Sequence, residues 1–376
     1  MLGQKLFIFI IGVLFSFNFG ISADLVERYR KGEIKIIPDE TYAKTIDWES
    51  FLYDRVVYRI AFGPDDSLFL SSPSHNKIFK LDKNGNLISN FGKKGQGSGD
   101  FDSPGCNSTL DDKLLVVGEY ALNRRISLFD FNGEFKKLLK TAHPLFQTIG
   151  LRNGMIVYRS RRRIKKNLDQ HMIIFIDSSD NREEIVDSFQ LGARSLTPEF
   201  EKQYFLAKTS VGNLLIGKSN EPEVIIYSPN GEKVFSFKLN MERKKFTREL
   251  KEEFYKRMEN PEHLSEEMKK IYLRTYKRSN YKFPEYLPYY EDLKVDSDGN
   301  ILVFYHNAFS NTKIFKFQVY SPQGDYLCDS SFNLLDHKTE FGKLSDFYFH
   351  KSFLYGLIEM KDAEFYGLRL IRLKLE

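Results

Sequence analysis

Five polar residues stand where short β-rich runs of the chain begin, and their side chains could bind or act on a small ligand. They are Arg59, Asn107, Gln147, Asp292 and Asp346. Carboxylate and amide oxygens are the ligands that calcium prefers, although the ion takes about six to eight of them. The set offers only two carboxylates and two amides beside an arginine, so we expect it to contribute to ligand binding without a cofactor. A calcium-dependent hydrolase or lyase that uses Asn107, Asp292 and Asp346, with its site in a central channel, is the alternative.

A basic run between residues 159 and 166 is the second candidate site. Arg161, Arg162 and Arg163 are consecutive, and Lys165 and Lys166 follow. In a loop, such a run predicts binding of an anionic glycan or of lipid head groups, although more often a charged run is simply solvated. The partner of the chain as a whole is expected to be a protein, a peptide or a glycan. Nucleic acid is not expected as a partner, because the net charge of the whole chain is only +5.

Three familiar kinds of site are not indicated. The seven histidines are scattered, without His-Glu-x-x-His or paired-ligand spacing, which does not favour zinc. Cys106 and Cys328 are too few for a disulfide framework. The glycine-rich stretch from Gly92 to Gly99 follows a β-rich run, opens no helix and lacks the Lys-Ser/Thr of a P-loop. It therefore predicts a link between strands rather than a phosphate site.

The elements that must position these residues form a repeat. Each copy has a turn between two β-rich runs, and Asn-Gly favours a tight turn because glycine accepts a positive φ at little cost. The turns are centred on Asn84-Gly85, Asn132-Gly133, Asn230-Gly231 and Gln323-Gly324, with Asp180-Asn181 as a degenerate copy. The first three intervals are 48, 47 and 51 residues, and the last becomes regular when an insertion at about 241–285 is removed. This period, built from strands alone, predicts the four-stranded blades of a β-propeller.

The blade pattern predicts how the two ends of the chain meet. Strand patterns indicate six copies, of which the last, ending near Leu375, has only three strands. A separate β-rich run at 33–37 supplies the missing strand, which removes two unpaired edges. We therefore expect an all-β, six-bladed β-propeller closed by its N-terminal strand, with a helical insertion between blades four and five. A β-sandwich with helices would explain neither the period nor the two incomplete ends.

One stretch resembles a known family. The residues from Phe91 to Pro104, with Gly95, Gly97 and Gly99 between them, and then Asn123 to Gly133 resemble an NHL-type repeat. The chain is in this respect similar to secreted bacterial six-bladed propellers of the NHL or TolB-like type. The resemblance covers about 50–140 and thins to a strand pattern elsewhere. It implies the fold and little chemistry, because such propellers include ligand binders, protein scaffolds and a few hydrolases or lyases.

Strand parity predicts which face carries the site. In a four-stranded antiparallel blade, the link between strands two and three and the link to the next blade share one face. The link 92–104, the basic run 159–166 and the insertion 241–285 all fall on that face. Because loops on a rigid scaffold commonly carry function, we expect the binding site there.

The insertion predicts two amphipathic helices, broken at Asn260-Pro261. Phe246, Leu250, Phe254 and Met258 recur every four residues and form one apolar stripe. We expect these helices to cap the propeller mouth, with partner binding or membrane contact as the alternative. An aromatic loop follows, which either lines a carbohydrate or peptide site or tethers the helices by packing. Its members are Tyr281, Phe283, Tyr286, Tyr289 and Tyr290.

The N-terminus predicts export. Lys5 is followed by an uncharged apolar run from Leu6 to Phe19, and Ala23 precedes Asp24, as at a signal-peptide cleavage site. We expect removal of 1–23 and a mature propeller of 24–376 in the periplasm or outside the cell, with an uncleaved anchor as the alternative. No later apolar run is long enough to cross a bilayer. The mature chain is expected to be a monomer that binds a ligand or another protein.

Overall fold

The structure of the protein is a computed structural model. It describes residues 25–39, 41–42, 60–73, 75–119, 123–166, 168–192, 200–259, 283–306, 314–334, 341–360 and 367–375. The expected signal peptide, 1–23, and the second expected helix of the insertion, 264–273, lie outside these residues.

Four sheets contain four antiparallel strands each, and each sheet runs in chain order. The first sheet contains β2 (Ile60–Phe62), β3 (Leu68–Ser72), β4 (Lys77–Leu81) and β5 (Leu87–Phe91). The second contains β6 (Pro104–Leu110), β7 (Leu114–Glu119), β8 (Arg125–Phe129) and β9 (Phe135–Lys140). The third contains β10 (Gln147–Gly150), β11 (Met155–Lys165), β12 (Leu168–Asp177) and β13 (Glu183–Gly192). The fourth contains β14 (Tyr204–Lys208), β15 (Leu214–Lys218), β16 (Glu223–Tyr227) and β17 (Lys233–Lys238).

A fifth sheet of eight strands, the joined sheet, combines the C-terminal strands with the N-terminal strand. Its strands are β1 (Ile34–Pro38), β18 (Tyr290–Val295), β19 (Ile301–Tyr305), β20 (Ile314–Tyr320), β21 (Tyr326–Leu334), β22 (Phe341–His350), β23 (Phe353–Met360) and β24 (Gly367–Leu375). They lie in the order β18-β19-β20-β21-β1-β24-β23-β22. The strand β1 is parallel to β21, with Ile34 opposite Phe332, and antiparallel to β24, with Ile36 opposite Leu375.

Apolar clusters fill the spaces between neighbouring sheets. Phe69 of the first sheet packs in one cluster with Val117 of the second. Leu68 of the first sheet shares another cluster with Tyr355 and Leu370 of the joined sheet. Antiparallel four-stranded sheets that pack side by side in chain order form a β-propeller. The expected all-β propeller architecture is therefore confirmed at this level.

Four of the turns between the third and fourth strands share one hydrogen-bonding arrangement. Asp82 Oδ1 accepts from the backbone N–H groups of Asn84 and Asn86, both at 2.8 Å. Gly85 has a φ of 84°, whereas Asn84 does not have a positive φ. This is a type I turn followed by a bulge. In three other turns the first residue likewise accepts, through a side-chain oxygen, from the backbone N–H groups two and four residues later. These residues are Asp130, Ser228 and Ser321.

Two helices occur among the described residues. The first, α1, covers residues 25–30, and the second, α2 (Arg248–Glu259), lies between β17 and β18. Thr247 caps the start of α2, because its Oγ1 accepts from the N–H of Leu250 at 3.3 Å. Phe246, which was expected on the stripe of this helix, lies before it. Neither helix is long and apolar enough to cross a membrane.

Two expectations about local structure are wrong. The basic run was expected in a loop, but β11 continues through it to Lys165, because cross-strand pairing with β12 continues as far as Leu168. Tyr290 was expected in the aromatic loop, but it is the first residue of β18 and is fully buried. Its ring packs so closely on Gly217 of β15 that a larger residue there would collide with it.

Candidate functional site

The antiparallel order of the strands brings the long connections to one end of the sheets. The link 92–104, the short connection from β11 to β12 and the described parts of the segment with α2, 239–259 and 283–289, all lie there, and we call this end the long-connection face. The short turns, including the one at Gly85, lie at the opposite end, the turn face. The link 92–104 and the segment with α2 therefore lie on the face that strand parity predicts, whereas the basic run belongs to a strand rather than to a connection.

The basic run forms part of an arm on the long-connection face, consisting of residues 160–166, 168–172 and 188–192. The pairing of β10 with β11 ends at Gln147 and Arg159. Beyond that pair β11, β12 and β13 continue together, with Arg161 opposite His171 and His171 opposite Phe189. From Arg159 to Lys165 the strand advances six residues, about 20 Å at the usual rise.

Strand alternation divides the three consecutive arginines between the two faces of the arm. Arg161 Nε donates to Asp169 Oδ2 at 3.0 Å, and Arg163 Nε lies 3.6 Å from Asp169 Oδ1. Arg162 points to the other side, where its Nε donates to Gln170 Oε1 at 2.9 Å. Burial opposes ionisation of Asp169, but the hydrogen bond and charge of Arg161 and the charge of Arg163 lower its pKa. Arg161 and Arg163 are thus partly neutralised, whereas Arg162 is not.

The tip of the arm, Arg162 to Lys166, is exposed at every residue. Ile164 is 40% exposed although it is aliphatic. Within the described part of the chain, Lys165 and Lys166 form no ion pair with a carboxylate. The tip therefore presents cations and one apolar side chain to whatever lies outside.

His171 lies beside Arg161 on the face that carries Asp169. Its ring stacks on Phe189, with ring centroids 5.0 Å apart and an interplanar angle of 5°. Burial, followed by the charges of Arg161 and Arg159, lowers the pKa of His171 to about 4. At neutral pH the imidazole is therefore uncharged and takes part in packing.

The base of the arm is fixed to the fourth sheet. Arg159 Nη1 donates to the carbonyl oxygen of Tyr204 at 2.9 Å. Lys218 Nζ lies 2.9 Å from Asp187 Oδ2, and both side chains are largely buried. Lys202 Nζ lies 4.8 Å from the centre of the Phe189 ring. These contacts make the base rigid, so the tip is held in a defined position.

Two of the five polar residues that were expected at strand starts lie between sheets, although only Gln147 begins its strand and Asn107 is the fourth residue of β6. Asn107 and Gln147 are 3% and 4% exposed. Asn107 Nδ2 donates to the carbonyl of Phe69, and Gln147 Nε2 donates to the carbonyl of Leu206, each at 3.4 Å. Each amide therefore connects its own sheet to a neighbour. Asn107 Oδ1 is buried without a hydrogen-bond partner among the described residues.

The other three residues are not brought to Asn107 by any described contact, and Asp292 and Asp346 lie inside β18 and β22 rather than at their starts. Asp292 Oδ2 lies 3.1 Å from Lys294 Nζ, and its Oδ1 accepts from the N–H of Leu293. Asp346 lies in β22, but its side chain is outside the described residues, as is all of Arg59. The described residues contain no group of three or more His, Cys, Asp or Glu that could hold a metal. A ligand-binding role for the five residues stays a prediction.

Lys208 is a central residue that the sequence reading missed. It ends β14 of the fourth sheet, and its Nζ donates at 3.2 Å to the carbonyl of Thr109 in β6 of the second sheet. The side chain therefore passes the third sheet near the centre of the molecule. Burial lowers the pKa of its ammonium group, while Asp112 opposes that shift. The sequence analysis places candidate ligand-binding residues at strand starts. It therefore misses Lys208, which is the last residue of its strand.

The glycine-rich link is held by side chains from the second sheet. Arg125 and Glu119 form a buried ion pair. Arg125 Nη2 also donates to the carbonyls of Gly95, at 3.0 Å, and Asp100, at 3.3 Å. Asp100 Oδ2 in turn accepts from the N–H of Gly97 at 3.2 Å. The polar groups of the link are thus used internally, which supports its reading as a connection.

One aromatic residue after the insertion, Phe283, packs on α2. Phe283 lies 5.3 Å from Phe254 and 5.6 Å from Tyr255, measured between ring centroids. Both helix residues are buried in one cluster with Phe200. Phe283 therefore takes part in tethering the helix, which is one of the two roles expected for this loop. Tyr281 lies outside the described residues.

Comparison with known proteins shows a likeness in fold. No protein-family model and no curated protein matches the chain. A Bacteroides fragilis protein assigned as exported aligns over 92% of this chain and 99% of its own, with a TM-score of 0.51 and 12% identity. A member of the DUF4221 family from Bacteroides vulgatus aligns over 91% and 96%, with a TM-score of 0.51 and 11% identity.

A lyase is among the more distant structural neighbours. Virginiamycin B lyase from Staphylococcus aureus aligns over 86% of this chain and 97% of its own, with a TM-score of 0.44 and 9% identity. At these identities the comparisons concern the fold alone, because one fold hosts many unrelated functions.

Proposed function

We propose that the protein is an exported six-bladed β-propeller of the NHL or TolB-like type that binds an anionic partner on its long-connection face. The observation that carries this proposal is the tip of the arm. Arg162, Lys165 and Lys166 are exposed there, and none has a carboxylate partner among the described residues. The arm extends past the end of β10, and contacts with the fourth sheet fix its base. Exposed cations on a rigid support attract an anionic partner and orient it.

The pairing within the joined sheet supports the blade count. Its strands divide into β18 to β21 and β22 to β24 followed by β1, which are two four-stranded units. With the other four sheets these units make six blades, and β1 supplies the fourth strand of the last one. The contact of Leu68 with the Tyr355 cluster supports a closed ring.

Export is supported by the apolar N-terminal run and by the fold neighbour assigned as exported. The helical insertion lies on the same face as the arm, where α2 covers Phe200 and Leu287. We therefore infer that α2 forms part of a cap beside the binding surface rather than the surface itself.

A soluble polyanion tests this function. Fluorescent sulfated dextran is titrated against the wild-type chain and the triple variant Arg162→Ala, Lys165→Ala, Lys166→Ala. The variant is expected to bind roughly tenfold more weakly and with less dependence on salt, since exposed charge contacts contribute up to ~1 kcal/mol each.

The matched control changes three exposed lysines on the turn face. The variant Lys83→Ala, Lys113→Ala, Lys233→Ala alters the net charge equally and should bind as the wild type does. Equal weakening of both variants would show that only total charge matters, and the placement of the site on the arm would be wrong.

A second candidate function is a calcium-dependent hydrolase or lyase with its site among the first strands. The buried and unpartnered Asn107 Oδ1 favours it, because calcium binds amide oxygens. Under this proposal calcium raises the melting temperature of the wild type and does so less in Asp292→Asn. A melting temperature that calcium leaves unchanged would exclude a calcium site that is occupied under the assay conditions.

A further inference from the structure

We infer that the tip of the arm, Arg162 to Lys166, docks on the surface of an anionic phospholipid bilayer. The inference rests on the proposed function, because it names the source of the anionic partner. It depends on three features of the tip: its projection from the sheet, its distribution of charge and the exposed Ile164.

The projection lets the tip meet a flat surface. The inner strand β10 ends its pairing at Arg159, whereas β11 continues to Lys165. The three-stranded pairing through His171 and Phe189 keeps this extension ordered. A hairpin that extends past the first strand of its sheet can present its tip to a flat surface.

The positive charges of Arg162, Lys165 and Lys166 are not offset by any carboxylate in the described part of the chain, whereas those of Arg161 and Arg163 are partly offset by one. Asp169 faces Arg161 and Arg163 and partly offsets them. Arg162, Lys165 and Lys166 have no such carboxylate among the residues that the structure describes. Cationic side chains near an anionic lipid surface are attracted to it individually, and their contributions accumulate.

Ile164 distinguishes a bilayer from a soluble polyanion. It is 40% exposed and stands between Arg163 and Lys165. A sulfated chain in water would use the cations and leave this side chain in solvent. At a bilayer the cations can meet phosphate groups while the apolar side chain enters the boundary between headgroups and acyl chains. An anionic bilayer therefore accommodates both the cations of the tip and Ile164.

Vesicle flotation tests the inference with the chain from Asp24, the predicted mature form. Binding is compared on phosphatidylcholine vesicles with and without about one third phosphatidylglycerol. The wild type should float only with the anionic vesicles. The triple variant Arg162→Ala, Lys165→Ala, Lys166→Ala should lose about 100-fold in partition coefficient, or about fivefold for each cation removed.

Ile164→Ser separates the bilayer from other anionic partners. Because it keeps every charge, it should leave sulfated dextran binding unchanged. Because it removes an apolar side chain that enters the bilayer, it should lower vesicle binding about fivefold. The turn-face variant Lys83→Ala, Lys113→Ala, Lys233→Ala should float as the wild type does. Unchanged circular-dichroism melting curves establish that each variant is folded.

Three results would overturn the inference. Binding to sulfated dextran without binding to anionic vesicles would do so and leave the proposed function standing. Binding to neither probe would remove both. Vesicle binding that is equal in the wild type and in both arm variants would show that another surface contacts the lipid.

Discussion

At the scale of single residues, Asp39 gives the clearest link between charge and stability. It follows β1 and is held by Arg372 of β24, whose Nη2 lies 2.7 Å from Asp39 Oδ2. Thr41 Oγ1 donates to Asp39 Oδ1 at 2.6 Å. Burial raises the pKa of Asp39, but these hydrogen bonds and the charge of Arg372 outweigh it and lower the pKa to about 2.

We predict that part of the stability depends on pH through Asp39. Because its pKa is lower in the folded than in the unfolded state, its contribution is complete above about pH 4 and is lost as the pH falls toward 2. Urea unfolding at pH 5 and pH 3 should show a smaller decrease for Asp39→Asn than for the wild type. Parallel decreases would contradict this role.

His171 offers a second prediction at this scale. Burial and the charges of Arg161 and Arg159 keep its pKa near 4. Its NMR signals should therefore show no titration between pH 8 and pH 5, and Arg161→Gln should raise the midpoint. Because the unfolded imidazole binds a proton near pH 6.5, His171 contributes stability above that pH that is lost as the pH falls toward 4. A midpoint near 6.5 in the folded wild type would contradict the structure.

At the scale of elements, the contribution of β1 can be measured by removing it. Ile34 and Ile36 are buried in one cluster with Phe332 and Leu373, so the strand supplies apolar contacts as well as hydrogen bonds. Deleting 24–38, which removes α1 with the buried Tyr29 as well as β1, should lower the free energy of unfolding by several kcal/mol, as other losses of core packing do. Lys35→Ala, on the exposed side of β1, should leave it nearly unchanged. An unaltered melting temperature in the deletion would show that β1 adds little.

The docking of α2 gives another prediction. Phe254 is buried against Phe200, with ring centroids 6.0 Å apart. Phe254→Ala should cost about 3 kcal/mol of local packing and release the helix, so proteolysis within 240–285 should accelerate. The exposed Lys256→Ala is the matched control and should be cleaved at the wild-type rate. Equal protection in both variants would mean that α2 is held elsewhere.

The arm shows why some elements could not be predicted from sequence. The stretch from Arg159 to Lys166 is almost wholly charged, so it has no apolar alternation to indicate a strand. Its conformation comes from cross-strand pairing with β12, which in turn pairs with β13. The turn at Gly85 was predictable because its signal is local, in Asn84 and Gly85 themselves. The sequence correctly predicts that Asn107 lies in the first strand of the second sheet. Its hydrogen bond to the carbonyl of Phe69 could not be predicted, because it depends on how the first and second sheets pack.

At the scale of the whole molecule, export is the property most open to a direct test. We predict cleavage after Ala23, because the apolar run from Leu6 to Phe19 is followed by small residues and then by Asp24. N-terminal sequencing of protein recovered from the host should begin at Asp24. A retained Met1 would favour an anchored form, and the matched variant Ala23→Leu should slow processing if the site is correct.

The position of β1 in the joined sheet also determines when this strand can pair during synthesis and folding. Ile36 lies opposite Leu375, so residues from the two ends of the sequence must meet before this part of the sheet exists. Contacts between distant parts of a chain form slowly, because a long loop must close first. During synthesis β1 therefore has no partner until β21 emerges, and its other edge stays unpaired until β24 emerges. A chain interrupted before β24 would lack that partner, and its exposed strand edge would be open to aggregation or proteolysis.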